Sequence, residues 1–194
     1  MKKFSDRQGE IIGAALGLIG DGGIQSLTIK NISHAVGVSE PALYRHFTNK
    51  HEILQSIIEY YDDENQKALK SIEDSEMNPL AQLESFHRRL VTQFAGNPAL
   101  SITLLFNEVF QNDRKLMHRI SKIMTRTQAR ITRIIEEGQG KGLIRRDISA
   151  RFLSTVLIGV VRLTITRWRL ANFGFDLEKE GSGLWEELER LLKP

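Results

Sequence analysis

The 194-residue chain contains no cysteine. Disulfides, thiol nucleophiles and thiolate metal ligands are thereby excluded, and the redox state of the compartment leaves no mark on the sequence. A zinc site would have to come from histidines and carboxylates. The five histidines, His34, His46, His51, His87 and His118, include no pair four residues apart that would share a helix face. Proline is scarce, at four residues, and there is no internal repeat and no convincing strand-like alternation. No apolar run is long and uncharged enough to span a bilayer. The opening MKKFSDRQGE starts basic, but Asp6, Arg7, Gln8 and Glu10 interrupt it before an apolar signal region can form. A cytoplasmic protein without membrane association is expected. GxSxG and P-loop patterns are missing, and the glycine-rich GDGG and GQGKG follow helical sequence, where they read as helix stops and not as phosphate cradles. The chain is therefore expected to be no enzyme, with no catalytic residue, metal or cofactor.

What is present is helical periodicity from end to end. Ser5 and Gln8 form a capping box ahead of a stripe of Ile11, Ile12, Ala15, Leu16 and Ile19. Asn49 and Glu52 open a helix with Ile53, Leu54, Ile57, Ile58 and Tyr61 on one face. Asn-Pro at 78–79 and again at 97–98 marks two more starts, with proline at the first helical position. A long helix from near Arg114 to Glu137 carries Leu116, Ile120, Ile123, Thr127, Ile131 and Ile134, beside a basic stripe of Lys115, Arg119, Lys122, Arg126, Arg130 and Arg133. That stripe reads either as a solvated face or as a surface for an anionic ligand or partner. Asp147 or Ser149 caps a helix bearing Phe152, Val156, Gly159, Val160, Leu163 and Trp168. A final helix is clear from Ser182, and the series Leu177, Gly181, Leu184, Leu188 and Leu191 extends it back to Leu177. The expected class is all-α.

Charge is unevenly spread. Residues 1–52 carry six Lys and Arg against five acids, residues 53–110 four against nine, residues 111–170 fourteen against four, and residues 171–194 three against six. The basic excess lies in the long helices, so any nucleic-acid contact by the first segment must depend on individually placed donors.

Residues 27–50, LTIKNISHAVGVSEPALYRHFTNK, supply such donors. Thr28 caps a short helix carrying Ile29, Ile32 and Val36, and Gly37 follows where a left-handed residue is needed. Ser39 caps a second helix, expected from about Glu40 to Phe47, in which Pro41 is tolerated because first-turn N–H groups have no intrahelical acceptor. Leu43 and Phe47 point inward together. Pro41, Tyr44 and Arg45 face out, with Glu40, Ala42 and His46 at the margins. Two short helices around a glycine turn, with polar side chains on the second, form a helix-turn-helix. A helix of that size fits the DNA major groove and presents its N-terminal residues to base edges.

The stretch AVGVSEPALYRHFTNKHEIL resembles the signature of the tetracycline-repressor (TetR) family of transcriptional regulators, and the likeness extends upstream to about Phe4. Gly37, Leu43 with Tyr44, His46 with Phe47, and Lys50 stand where the family repeats those residues; Ser33 stands where it usually has alanine. The resemblance implies an N-terminal three-helix helix-turn-helix domain over residues 1–52 and an effector-binding and dimerisation domain over residues 53–194. It implies that Thr28, Ser39, Tyr44, His46 and Lys50 hold phosphates of double-stranded DNA, while Lys30, Glu40, Pro41, Ala42 and Arg45 approach bases. It also implies a homodimer, through a four-helix bundle of the last two helices and their copies. Opposite charges, Arg162, Arg167 and Arg169 against Glu186, Glu187 and Glu189, are available to fix register at its rim. A small, largely apolar effector is expected between the helices that precede the bundle, among Tyr60, Phe86, Phe94, Phe106, Met117, Met124 and Thr155, with Arg126, Arg130 or Arg162 as anchor if it is an acid. The helix that opens at Lys50 is the expected mechanical link. The function implied is a dimeric repressor released from a near-palindromic operator by its effector. The alternative is a DNA-bound protein that recruits a protein partner, as nucleoid-associated members of the family do.

Overall fold

Capping chemistry sets the helix starts of the computed structural model, which describes residues 4–105 and 113–194. Ser5 and Gln8 make the reciprocal capping box of α1 (Asp6–Gly22), and all five residues of its expected apolar stripe are buried. Thr28 accepts from the Asn31 N–H at the start of α2 (Ile29–Val36), and Ser39 from the Ala42 N–H at the start of α3 (Glu40–Tyr44). The Asn49 carboxamide accepts from the Glu52 N–H as α4 (Lys50–Glu73) begins. Glu52 reaches back one residue further than a standard capping box, to the N–H and hydroxyl of Thr48 at 2.7 and 2.8 Å. Asn78 caps α5 (Pro79–Gly96), and Asp113 accepts from the N–H groups of Lys115 and Leu116 as α6 (Arg114–Gly140) starts. Of the two candidates before α7 (Ala150–Leu170), Ser149 is the cap. The last helix, α8 (Leu177–Leu192), begins at Leu177 behind Asp176. Every regular element among the described residues is helical.

Two expectations need correction. The second Asn-Pro does not open an α-helix, because residues Pro98–Leu105 form a 3-10 helix. The turn helix ends at Tyr44 and not at Phe47. The His46 N–H bonds the Leu43 carbonyl three residues back, at 2.9 Å, and the Phe47 N–H takes the same carbonyl at 3.1 Å, so the chain tightens before α4 begins.

The chain divides into two compact units, residues 1–64 with 99–120 and residues 65–98 with 121–194. In the first, α1 packs on α2 and α2 on α3. Ile11, Ile12, Leu27, Ile32, Leu43, Phe47 and the Ile53, Ile57, Ile58 face of α4 are buried. Arg119 pairs with Glu59, and His51 approaches Asp113 at 3.1 Å.

In the second unit α5, α7 and α8 pack on one another around Leu83, Phe86, Ile131, Ile135, Leu153, Leu157, Trp185 and Leu188. The Arg130 guanidinium donates to both Glu73 oxygens at 2.7 and 2.5 Å and holds that carboxyl below the usual carboxylate range. Helices α5 and α8 approach closely because position 181 is glycine: a Cβ there would stand 2.7 Å from Val91 Cγ2. The buried His87 Nε2–H uses that proximity to donate to the Gly181 carbonyl at 2.8 Å. Burial pushes the His87 imidazole below its ordinary pKa. The unfolded chain therefore takes up a proton that the folded chain refuses, so this contribution to stability is present above about pH 6.5 and is lost as pH falls below it. Wild type is expected to lose more melting temperature between about pH 7 and pH 5.5 than His87→Gln, whose amide keeps a donor but does not titrate. Equal losses in calorimetry would remove His87 from the account.

Helix α7 carries two apolar faces. Ala150, Leu153, Leu157, Val161, Ile165 and Trp168 are buried. Of the series expected from sequence only Trp168 belongs to that face; Phe152 and Leu163 are exposed, and Val156 and Val160 are half-buried. On α8 the buried line runs Leu177, Gly181, Trp185, Leu188, Leu192, leaving the expected Leu184 and Leu191 half-buried at its edge.

Candidate DNA-binding surface

The turn between α2 and α3 is built from backbone hydrogen bonds and one glycine. Gly37 sits at φ 71°, ψ 36°, the left-handed region that a side chain disfavours. Its N–H bonds the His34 carbonyl at 3.1 Å and the Val38 N–H bonds the Ser33 carbonyl at 2.9 Å. That pair of bonds is the Schellman arrangement, which satisfies carbonyls the ending helix would otherwise orphan. Ser33 is buried, and its hydroxyl donates to the Lys30 carbonyl at 2.9 Å, so the departure from alanine leaves no unsatisfied polar atom.

Three side chains then fix the pair of helices on their neighbours. Arg7 donates to the Val36 carbonyl at 3.3 Å and Gln8 to the His46 carbonyl at 3.4 Å, tying α1 to the end of α2 and to the turn just after α3. Asn31 donates to the Ser26 carbonyl at 2.9 Å. Sequence reasoning gave Gln8 a capping role only, and nothing local distinguishes its second partner 38 residues away.

The expected DNA contacts fall on the outer side of this unit. Thr28, Lys30, Ser39, Glu40, Pro41, Tyr44 and Arg45 are exposed, while Ala42, His46 and Lys50 are half-buried. Leu43 and Phe47, on the other side, are fully buried. Tyr44 is 48% exposed, a large aromatic with a hydroxyl that nothing in the core requires. Lys50 directs its ammonium to the Ile24 carbonyl at 3.3 Å, which holds the side chain beside the turn.

The expected effector residues are dispersed. Tyr60, in the first unit, is exposed and meets Phe4 edge-on at 6.2 Å, and Met117 is half-buried there. In the second unit Phe86 and Phe94 are both buried on α5, about two helical turns apart. Met124 is 43% exposed. Thr155 is exposed, accepts from Gln128 at 2.8 Å and donates to the Arg151 carbonyl; Arg162 is half-buried. Arg126 is exposed, and Arg130 is committed to Glu73 and Gln66. Phe106 lies outside the described residues. Among the described pairs Arg167 approaches Glu180 at 3.9 Å, while Glu187 and Glu189 pair with Arg190 and Lys193 of their own segment. No described helix is long and apolar enough to cross a membrane.

Comparison with known proteins accords with this geometry. Residues 11–57 match the model described as bacterial regulatory proteins, tetR family, and residues 55–190 match that of the YsiA-like protein C-terminal region. The nucleoid occlusion factor SlmA of Photobacterium profundum is 25% identical over 194 residues, covering 98% of this chain and 97% of its own. The fatty acid degradation regulator FadR from Bacillus halodurans has the same fold, with a TM-score of 0.83 at 21% identity over 97% of both chains. FadR from Bacillus subtilis, solved in complex with stearoyl-CoA, superposes with a TM-score of 0.80 at 23% identity over 94% of this chain and 98% of that one.

Proposed function

Since the chain belongs to the TetR family of bacterial regulatory proteins, and is a DNA-binding transcription regulator, we propose that it is a homodimeric repressor released from a near-palindromic operator by an acyl-CoA thioester. Residues 1–52 read the DNA, and residues 53–194 dimerise and bind the effector. The protein works by binding and not by catalysis, and it acts where the chromosome is, in the cytoplasm. The observation that carries the DNA half of this reading is the exposed set of Glu40, Pro41 and Tyr44 on α3 with Arg45 directly after it, presented by a segment whose opposite side is locked into the core. An acyl thioester suits the chemistry expected of the effector, an apolar chain with an anionic head. The stearoyl-CoA of the Bacillus subtilis regulator supports that choice.

In the second unit the proposed ligand residues are Phe86, Phe94, Met124, Thr155 and Arg162. Phe94 is fully buried, so an acyl chain enters only by moving it from the core. Such a ligand prefers a repacked state over the packed one, which is the differential affinity that any switch requires. The test is release of an operator fragment, selected from randomised duplex DNA, on titration with stearoyl-CoA. Release by stearoyl-CoA and not by coenzyme A supports the reading. Retention of DNA in the presence of acyl-CoA of every chain length refutes the effector half. The second reading, recruitment of a protein partner by the DNA-bound dimer, is favoured by the full-length likeness to a nucleoid occlusion factor and would then take precedence.

Individual contacts divide into two kinds. A carboxylate near phosphates is repelled, and cytosine N4 is the base-edge donor suited to an acid, so Glu40 is assigned to base readout. Glu40→Ala is expected to relax preference at one base pair by about 1–3 kcal/mol, while Lys50→Ala weakens all sequences alike and lowers the salt slope. If selection returned the same preferred site for Glu40→Ala as for wild type, Glu40 would be reassigned to stabilising the N-terminus of α3.

A further inference from the structure

Between α5 and α8 lies a cavity of about 450 Å³, the size of small-molecule sites. Its floor is His87, Val91, Gly181 and the Trp185 ring, and the two rings stand 5.6 Å apart. Its rim carries three carboxylates, Glu84 from α5 with Glu178 and Glu186 from α8, against the single cation Arg88. Arg88 already leans toward Glu84, at 3.9 Å.

Two observations of different kind make this more than an acidic patch. His87 is only 2% exposed, and because its Nε2–H is spent on the Gly181 carbonyl, its Nδ1 is an acceptor to which no protein group donates. Buried acceptors of this kind are rare and call for a donor. The second is the composition of the cavity, an aromatic face set below excess negative charge, which attracts a cation by its quadrupole as well as by the carboxylates. Among the described residues no group of three or more His, Asp or Glu side chains is placed to hold a metal ion.

We propose that this cavity binds a small organic ammonium ion with an apolar body. The body lies on Trp185 and Val91, and the charge faces Glu178 and Glu186. The site lies on the opposite flank of α8 from Leu184 and Leu191, its half-buried apolar edge. At 100° per residue, Glu178, Ser182 and Glu186 flank the buried Gly181–Trp185 line of α8 on one side, and Leu184 and Leu191 flank it on the other. The proposal does not rest on the repressor reading, and its test uses no DNA.

The chain has two tryptophans, Trp168 and Trp185, so the two indole N–H signals of the full-length protein report on the site and on a control position. Phenethylamine is titrated, with 2-phenylethanol as its uncharged analogue. The expected result is a saturable shift of the Trp185 signal with the amine and none of the Trp168 signal. The doubly substituted Glu178→Gln/Glu186→Gln protein, altered only at exposed positions, is expected to bind about tenfold more weakly, as the loss of two exposed ion pairs predicts. The alcohol should bind at least as weakly. No saturable Trp185 shift, equal binding of amine and alcohol, or equal binding by the substituted protein would each overturn the proposal.

Discussion

Leu163→Glu is expected to turn the proposed homodimer into a folded monomer that no longer holds its operator. Leu163 is 62% exposed, with Phe152 at 58% and Leu170 at 79% on the same outward face of α7, and half-buried Val156 and Val160 lie between them. The 21-residue helix is about 30 Å long, so this is a continuous apolar strip, of a kind that soluble chains cover with a partner. A two-fold interface brings the same strip of both copies together, so one substitution places two carboxylates in it. Leaving a charge buried and unpaired costs about 3–5 kcal/mol, or two to four powers of ten in dimer dissociation constant. The side chain is exposed in the monomer, so helix content by circular dichroism should not change. Sedimentation equilibrium checks the first expectation and operator titration the second, because a lone five-residue recognition helix makes too few contacts for tight specific binding. A variant that sediments as wild type would remove α7 from the interface.

Leu43→Ala is expected to cost about 2–5 kcal/mol of stability in the N-terminal unit and to abolish specific DNA binding. Five residues cannot sustain a helix alone, so α3 exists because Leu43 is fully buried. The Leu43 carbonyl also accepts from His46 and Phe47, which sets the exit of the helix. Loosening that anchor releases Tyr44 and Arg45 from a defined position even where the unit stays folded. Urea unfolding read against operator affinity tests this, and retention of both would show that the turn is held from α1 alone, through Arg7 and Gln8.

Most of the helix starts could be read from the sequence, because a cap is a local event. Ser5 with Gln8, Thr28, Ser39, Asn49 and Asn78 each bond an N–H three residues ahead, and the Gly37 turn closes within six residues. Features set by distant partners could not be read. The Phe152–Leu163 series has the spacing of a core stripe, and only the three-dimensional packing of Leu153, Leu157 and Val161 shows that it faces out. His87 and Gly181 are 94 positions apart, and neither has a local pattern that announces the other. The outward set around α3 was legible as exposed because Leu43 and Phe47 give that segment one obvious inward face. Side-chain size and segment do not encode burial, so Phe94, fully buried, and Met124, exposed, look alike in the sequence.

The central claim, a dimeric reader of DNA, is tested most directly by selecting sites from randomised duplex DNA with the full chain and footprinting the winner. The expected result is an inverted repeat protected on both halves at once, with half-site centres about one helical turn, or a small multiple, apart. Protection of one isolated half-site by a monomer would contradict it.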